Sequence, residues 1–211
     1  MKVGFFAQGD GEHLHIAKHL IRSCREVMPD VVVVQLTDYK TPAICDDVRR
    51  IGGQLPMAVR RITHHAELEG DWLFIDTDCV ILKDVRPVFE DDFEIALTDR
   101  KGSVWEKSPY GMVMPYNMGV TFSRGVSFWK LVLKYLRNLP AQYQQWEGDQ
   151  RVVCELVRAG YPVKVLPGRI YNFTPFTKDE PLDHAAILHL KGPRKSWIGD
   201  LWKPSSKKAE A

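Results

Sequence analysis

Hydrophobic positions along this chain switch back and forth between a period of two and a period of 3.6. Lys2 to Ala7 is an apolar run of strand type, and Gln8-Gly9-Asp10-Gly11 is made of residues that favour a turn. From Glu12 to Val27 the apolar positions Ile16, Leu20, Cys24 and Val27 recur at helical spacing, with Pro29 just beyond. Val31 to Leu36 is then a continuous apolar run, as in parallel strands covered on both faces. These three segments predict a β-α-β unit. The alternation continues with a helix over about Pro56 to Leu68, a strand from Trp72 running into Asp76-Thr77-Asp78, a short apolar run Cys79 to Leu82, and a strand over Phe93 to Thr98.

Asp99 to Pro115 has no clear period and predicts a long loop; its Lys101, Trp105, Lys107 and Tyr110 are suited to covering an acceptor. Tyr116 to Phe122 reads as a turn feeding a strand. Ser123 is placed to cap a helix whose core stripe is Phe128, Val132, Tyr135 and Leu139. Gly148-Asp149-Gln150 opens another amphipathic helix, Val163 to Leu166 is a strand, and Ala186 to Leu190 is an apolar run containing His189. No repeat or linker divides the chain, so the pattern predicts one α/β domain.

Composition changes this picture little. At 211 residues, 45% hydrophobic and 27% charged, the chain suits a single globular domain of cytoplasmic type. A net charge of +2 does not single out nucleic acid as a partner, and residues 204–211 read as a flexible basic tail. No segment is long enough to span a bilayer. The four cysteines are widely spaced with no C-x-x-C pair, which argues against a zinc site or a disulfide framework and for reduced thiols. His15 and His19 have a metal-capable spacing, but no Glu or Cys completes a site there.

The candidate chemistry centres on Asp76 and Asp78, which end an apolar strand. In an extended segment they fall on one face, where two carboxylates can share a hard divalent cation such as Mg²⁺ or Mn²⁺. In open α/β sheets that edge is also where ligands bind.

Read together, four landmarks resemble the GT-A nucleotide-sugar glycosyltransferases, most closely the retaining group called glycosyltransferase family 8. They are Asp76-Thr77-Asp78; Asn117-Met118-Gly119-Val120; Asp149-Gln150; and His189-x-x-Gly192-x-x-Lys195-x-Trp197. Leu166-Pro167 followed by Tyr171-Asn172-Phe173 is similar to the family pattern as well. The sequence departs from that pattern at Ser196, where the family has Pro, and at Met118, where it has Ala or Ser.

The resemblance implies a Rossmann-like, mixed but mostly parallel sheet flanked by helices. It would form one domain over residues 1–203, with about 1–100 as the nucleotide-binding half and about 101–203 as the acceptor half. It further implies that His189 joins Asp76 and Asp78 as third ligand of Mn²⁺ (or Mg²⁺). The other implied positions are Gly192 and Lys195 at the donor diphosphate, Ala7, Gln8 and Asp10 at the base and ribose, and Thr77 beside the carboxylates. Arg60 or Arg61 would reach the donor, and Arg60 is placed there. Asn117, Asp149 and Gln150 would surround the transferred sugar of a UDP-hexose, in a front-face transfer that retains configuration, with Asp149 orienting sugar hydroxyls.

Two other readings use the same residues. Asp76-x-Asp78-x-Val80-Ile81 also resembles the nucleophile motif of haloacid-dehalogenase-type phosphohydrolases, with Asp76 as nucleophile, although that motif normally ends the first strand. A non-catalytic sugar-nucleotide-binding protein would keep every ligand and lose turnover. The acceptor, whether glycan, protein or nucleic acid, and the oligomeric state are left open by the sequence.

Overall fold

The computed structural model describes residues 1–9, 11–103, 106–145 and 147–204. Asp10, Trp105 and the tail beyond Pro204 lie outside the described residues.

A seven-stranded sheet runs through the molecule. Its strands are Lys2–Phe6 (β1), Val32–Thr37 (β2), Asp47–Arg50 (β3), Trp72–Ile75 (β4), Ile95–Asp99 (β6), Tyr116–Ser123 (β7) and Lys164–Leu166 (β8), in the order β3-β2-β1-β4-β7-β6-β8. β3, β2, β1 and β4 are mutually parallel, whereas β7 runs antiparallel to both β4 and β6. A separate two-stranded ribbon pairs Cys79–Ile81 (β5) with Ile187–His189 (β9) in antiparallel register. Among the described residues no helix is long and apolar enough to cross a membrane.

Side chains of the central strands alternate between two buried faces. Val3, Phe5, Leu73 and Ile75 meet Leu14, Ala17, Leu20 and Ile21 of helix Glu12–Val27 (α1) on one side. Leu36, Trp72 and Phe74 meet helices Met57–Glu67 (α2) and Ser127–Arg137 (α4) on the other, through Val59, Ile62, Phe128, Trp129 and Val132. Burial on both faces explains why β2 and β4 read as continuous apolar runs rather than as alternating ones.

Several expectations are corrected. The polar stretch after Thr37 contains β3, whose Asp-Val-Arg-Arg sequence carries no apolar pattern because it is a half-buried edge. The stretch read as a long loop contains a short helix, Pro109–Val113 (α3), capped by Ser108, whose Oγ accepts from the Gly111 amide at 2.9 Å. Tyr116 to Phe122 is strand throughout. Ser123 ends that strand instead of capping α4, and its hydroxyl donates to Gly125 O. Tyr135 is 49% exposed, and the core stripe of α4 is Phe128, Trp129, Val132 and Leu136.

Candidate active site

Asp76 and Asp78 are not in a strand. β4 stops at Ile75, and Asp76 to Asp78 form a tight turn into β5, closed by the Cys79 amide donating to Asp76 O at 3.3 Å. Alternation along an extended chain is therefore not what brings the carboxylates together; backbone pairing is. The Asp76 amide donates to Gly119 O of β7 at 2.8 Å, and the Leu190 amide donates to Asp78 O at 2.9 Å. The β5–β9 register sets Cys79 opposite His189, so the last residue of β9 arrives beside the turn.

The outcome is a convergence of three side chains. His189 Nε2 lies 3.1 Å from Asp78 Oδ1 and 3.6 Å from Asp76 Oδ2. The imidazole is buried beneath β7, and Gly119 is what allows it there: a Cβ on residue 119 would stand 2.1 Å from His189 Cε1 and 2.6 Å from Asp76 Oδ2. Gly119 sits in a bulge, where the β6–β7 register jumps from Leu97↔Thr121 to Thr98↔Asn117. The Thr98 hydroxyl lies 3.2 Å from Asn117 O and 3.3 Å from Val120 O, filling the gap.

The tautomer of His189 follows from a chain of hydrogen bonds that begins at a backbone amide. Gly119 N–H donates to Asn117 Oδ1 at 2.9 Å, which fixes that atom as oxygen. Asn172 Nδ2 then donates to Asn117 Oδ1 at 2.8 Å and to Thr98 Oγ1 at 2.6 Å, leaving Asn172 Oδ1 as an acceptor. His189 Nδ1, 2.8 Å from that oxygen, must carry the proton. Nε2 therefore turns its lone pair toward the two carboxylates. This is the arrangement in which a metal-ligating histidine is held by a neighbouring acceptor. Burial and nearby Lys191 push the imidazole below its ordinary pKa despite the pull of Asp78, which keeps the lone pair free. Burial would raise the Asp78 carboxyl, but the Lys195 ammonium, 3.5 Å from its Oδ2, draws it down.

These residues fit a divalent cation. Three lone-pair donors facing one another repel unless a positive charge lies among them. Cys79 also lies within reach of Asp78 and His189, but burial pushes its thiol well above the ordinary value, so it is a weak ligand beside the Asp76 carboxylate.

A cleft of about 440 Å³ opens over this cluster, lined also by Arg61, Arg100, Tyr110, Glu147, Asp149, Lys191, Gly192 and Lys195. Lys195 Nζ is 3.5 Å from Asp78 Oδ2, and Gly192 has a φ of +58°. A larger hollow of about 720 Å³ beside Tyr135 and Tyr143 contains none of the clustered carboxylates and belongs to the back of helix Gly148–Arg158 (α5).

Of the two arginines, Arg61 enters the cleft. Its Nε donates to Asp149 Oδ2 at 2.7 Å, Nη2 reaches the same oxygen, and Nη1 is 3.4 Å from Asp76 Oδ1. Consecutive helix residues point about 100° apart. Arg60 therefore turns the other way, donating to Gly53 O at 2.6 Å with Nη1 3.7 Å from Asp38. This corrects the placement of Arg60. Burial alone would push the Arg61 guanidinium down, and Asp149 with Asp76 holds it up.

Asp149 itself has no exposed surface: Arg61 takes Oδ2, and Oδ1 accepts from the Gln150 amide at 2.8 Å. Its geometry is that of a residue positioning Arg61, rather than one that touches sugar hydroxyls as expected. Gln150 Oε1 lies 3.3 Å from both Asn117 Nδ2 and the Met118 amide, so Asn117 and Gln150 form one floor. Thr77 is buried in the turn. Ala7 is buried at the end of β1, its carbonyl accepting from Thr37, while Gln8 is exposed; neither lines the cleft.

Four contributors had no role in the sequence reading. Asn172 had a signal, the Tyr-Asn-Phe segment, but its part in orienting His189 appears only in three dimensions. Arg100 and Lys191 flank assigned motifs. Burial and nearby Arg100 push Lys191 down to about 8. Glu147, just before α5, has a φ of +67°, the only positive φ among described residues that are not glycine, and it stands at the cleft. It is hydrogen-bonded to Tyr110, whose phenol burial and Glu147 push up to about 12.

At the level of sequence, neither a protein-family model nor a curated protein matches this chain. Its backbone, however, is similar to solved glycosyltransferases. The galactosyltransferase LgtC, solved with donor and acceptor sugar analogues, superposes with a TM-score of 0.65 at 16% identity, over 93% of this chain and 89% of that one. GlyE of Streptococcus pneumoniae TIGR4 gives 0.65 at 20% identity, over 93% of this chain and 56% of GlyE. A glycosyltransferase involved in glycosylation of the major capsid of PBCV-1 gives 0.60 at 16% identity, over 95% and 99%. With its mixed seven-stranded sheet and flanking helices, the chain has the GT-A glycosyltransferase fold.

Proposed function

We propose that this chain is a metal-dependent glycosyltransferase that moves a hexosyl group from a UDP-linked donor to an acceptor hydroxyl with retention of anomeric configuration. The observation that carries this reading is the meeting of Asp76, Asp78 and the His189 Nε2 lone pair, with Lys195 and Gly192 at the same cleft. Two carboxylates and an imidazole suit Mn²⁺, with Mg²⁺ as the harder alternative. Such a cation, when bound, neutralises charge on a departing diphosphate, a contribution of several kcal/mol. Lys195 adds a compact positive charge for phosphate oxygens, and Gly192 lets the backbone approach them.

Retention by a covalent intermediate needs a free nucleophile on the far side of the sugar. Both Asp149 oxygens are already engaged, and the Gln150 carboxamide is a poor nucleophile bound to Asn117 and Met118. This supports front-face attack, in which the acceptor oxygen bonds to the anomeric carbon as the phosphate oxygen leaves and takes the acceptor proton. Arg61, held by Asp149, and the Asn117–Gln150 floor would then orient the sugar.

Donor turnover tests the proposal. With a UDP-hexose, Mn²⁺ and no acceptor, the protein should release UDP slowly by transfer to water. Asp78→Asn should lower that rate about a thousandfold, as the loss of several kcal/mol requires. UDP release that persists in Asp78→Asn, or hydrolysis of a generic aryl phosphate in its place, would contradict the reading.

A further inference from the structure

The charges lining the cleft are unevenly matched. Arg61 is neutralised by Asp149 and Asp76, and Lys195 faces Asp78. Glu147 is occupied by Arg151, 3.4 Å away, and by the Tyr110 hydroxyl. Arg100 and Lys191 remain. Arg100 is only 6% exposed, yet it pairs with no carboxylate among the described residues. Its Nε donates to Met114 O at 2.7 Å, its guanidinium carbon lies 5.7 Å from the Tyr110 ring centroid, and the residue lines the cleft. Lys191 likewise lines the cleft; Asp76 and Asp78 act on its charge, but neither forms an ion pair with its ammonium.

Burying a cation without a counter-charge costs several kcal/mol, and placing a second like charge beside it adds to that cost. A fold retains such a pair at a solvent-open cleft when the missing counter-charge arrives with a ligand. Arg100 sits at the end of β6, next to α3, so the pair involves a wall distinct from the one that holds Lys195.

We infer that Arg100 and Lys191 form a subsite for a carboxylate or phosphate carried by a sugar, so that one of the two sugars handled here is acidic. This deepens the sugar-transfer reading and rests on it for the word sugar. The acidic group can belong to the transferred sugar or to the acceptor, and binding measurements tell these apart.

The probes are D-glucuronate and D-glucose, titrated calorimetrically into the full-length protein with Mn²⁺ present. Glucuronate should bind at least about tenfold tighter than glucose, and this preference should vanish in Lys191→Met and in Arg100→Met. Lys191→Met carries the test if the more buried Arg100→Met does not fold. Saturating UDP should leave glucuronate bound. UDP-glucose that displaces glucuronate assigns the subsite to the donor sugar, and UDP-glucose that leaves it bound assigns it to the acceptor. Equal binding of glucuronate and glucose would overturn the inference, as would a preference that survives Lys191→Met, or displacement of glucuronate by UDP alone, which would give the pair to the diphosphate. Failure of UDP itself to bind would instead count against sugar transfer, and the glucuronate preference would still be read independently.

Discussion

On one side of the cleft, Asp76, Asp78 and His189 are fixed by backbone pairing across β4, β5, β7 and β9, and hydrogen bonds through Asn172, Asn117 and Gly119 set even the tautomer of the imidazole. On the other, Arg100, Tyr110 and Glu147 come from a strand end, a five-residue helix and a residue with strained φ, and Arg100 pairs with no carboxylate among the described residues. The first wall is organised before any ligand arrives, as a constant ligand such as a metal–diphosphate unit requires. The second is held by fewer bonds and leaves charge uncompensated, which suits the part of the substrate that sets specificity.

This contrast can be broken or sharpened by substitution. The largest effect is expected at Arg61, which ties α2 to the ordered wall. Arg61→Met leaves Asp149 buried and unpaired, at a cost of about 3 to 5 kcal/mol. The double variant Arg61→Met/Asp149→Leu should recover most of that in denaturant melts, and no recovery would mean that Arg61 stabilises through something other than Asp149. Next comes Gly119→Ala, whose methyl has no room beside His189 and Asp76. Overpacking should cost about 1 to 3 kcal/mol and weaken Mn²⁺ binding, whereas an unchanged Mn²⁺ titration would show that the ordered wall is softer than described.

The smallest effect lies under both walls, in α2. His64 is buried with Nε2 3.0 Å from Thr37 O, and burial pushes it down to about 4. The unfolded chain binds a proton near the ordinary value of about 6.5 that the folded chain refuses. Stability contributed by neutral His64 is therefore full above about 6.5 and falls as pH drops toward 4. Moving from pH 7.5 to 5.5 should cost the wild type about 1 kcal/mol more than it costs His64→Phe, since buried His65 and His189 add losses of the same sign to both proteins, and an equal loss in the two would contradict the assignment.

The ordered wall was also the legible one. Helix α1 spans Glu12–Val27 as its periodicity predicts, and each of the four motifs sends residues into one cleft. What a linear reading lacked was phase and contact. Nothing in Arg60-Arg61 tells which arginine faces inward until the buried side of α2 is known. The turn at Asp76–Asp78 hides behind an apolar run that looks like continuous strand. α3 had a local signal, Ser108 followed by Pro109 at a helix start, obscured by Gly111 and Pro115. The roles of Asn172 and Glu147 depend on partners 17 residues or more away, or on a backbone angle, and neither leaves a mark in composition.

The central claim is that His189, with Asp76 and Asp78, binds a divalent cation on which a nucleoside diphosphate depends. Calorimetric titration of UDP into the wild-type protein, with Mn²⁺ and again with EDTA, tests it most directly when repeated on His189→Ala. Mn²⁺ should tighten UDP binding about 100-fold in the wild type, and that gain should fall to about tenfold or less in His189→Ala. The same Mn²⁺-dependent gain in both proteins, or UDP binding indifferent to EDTA, would contradict the account.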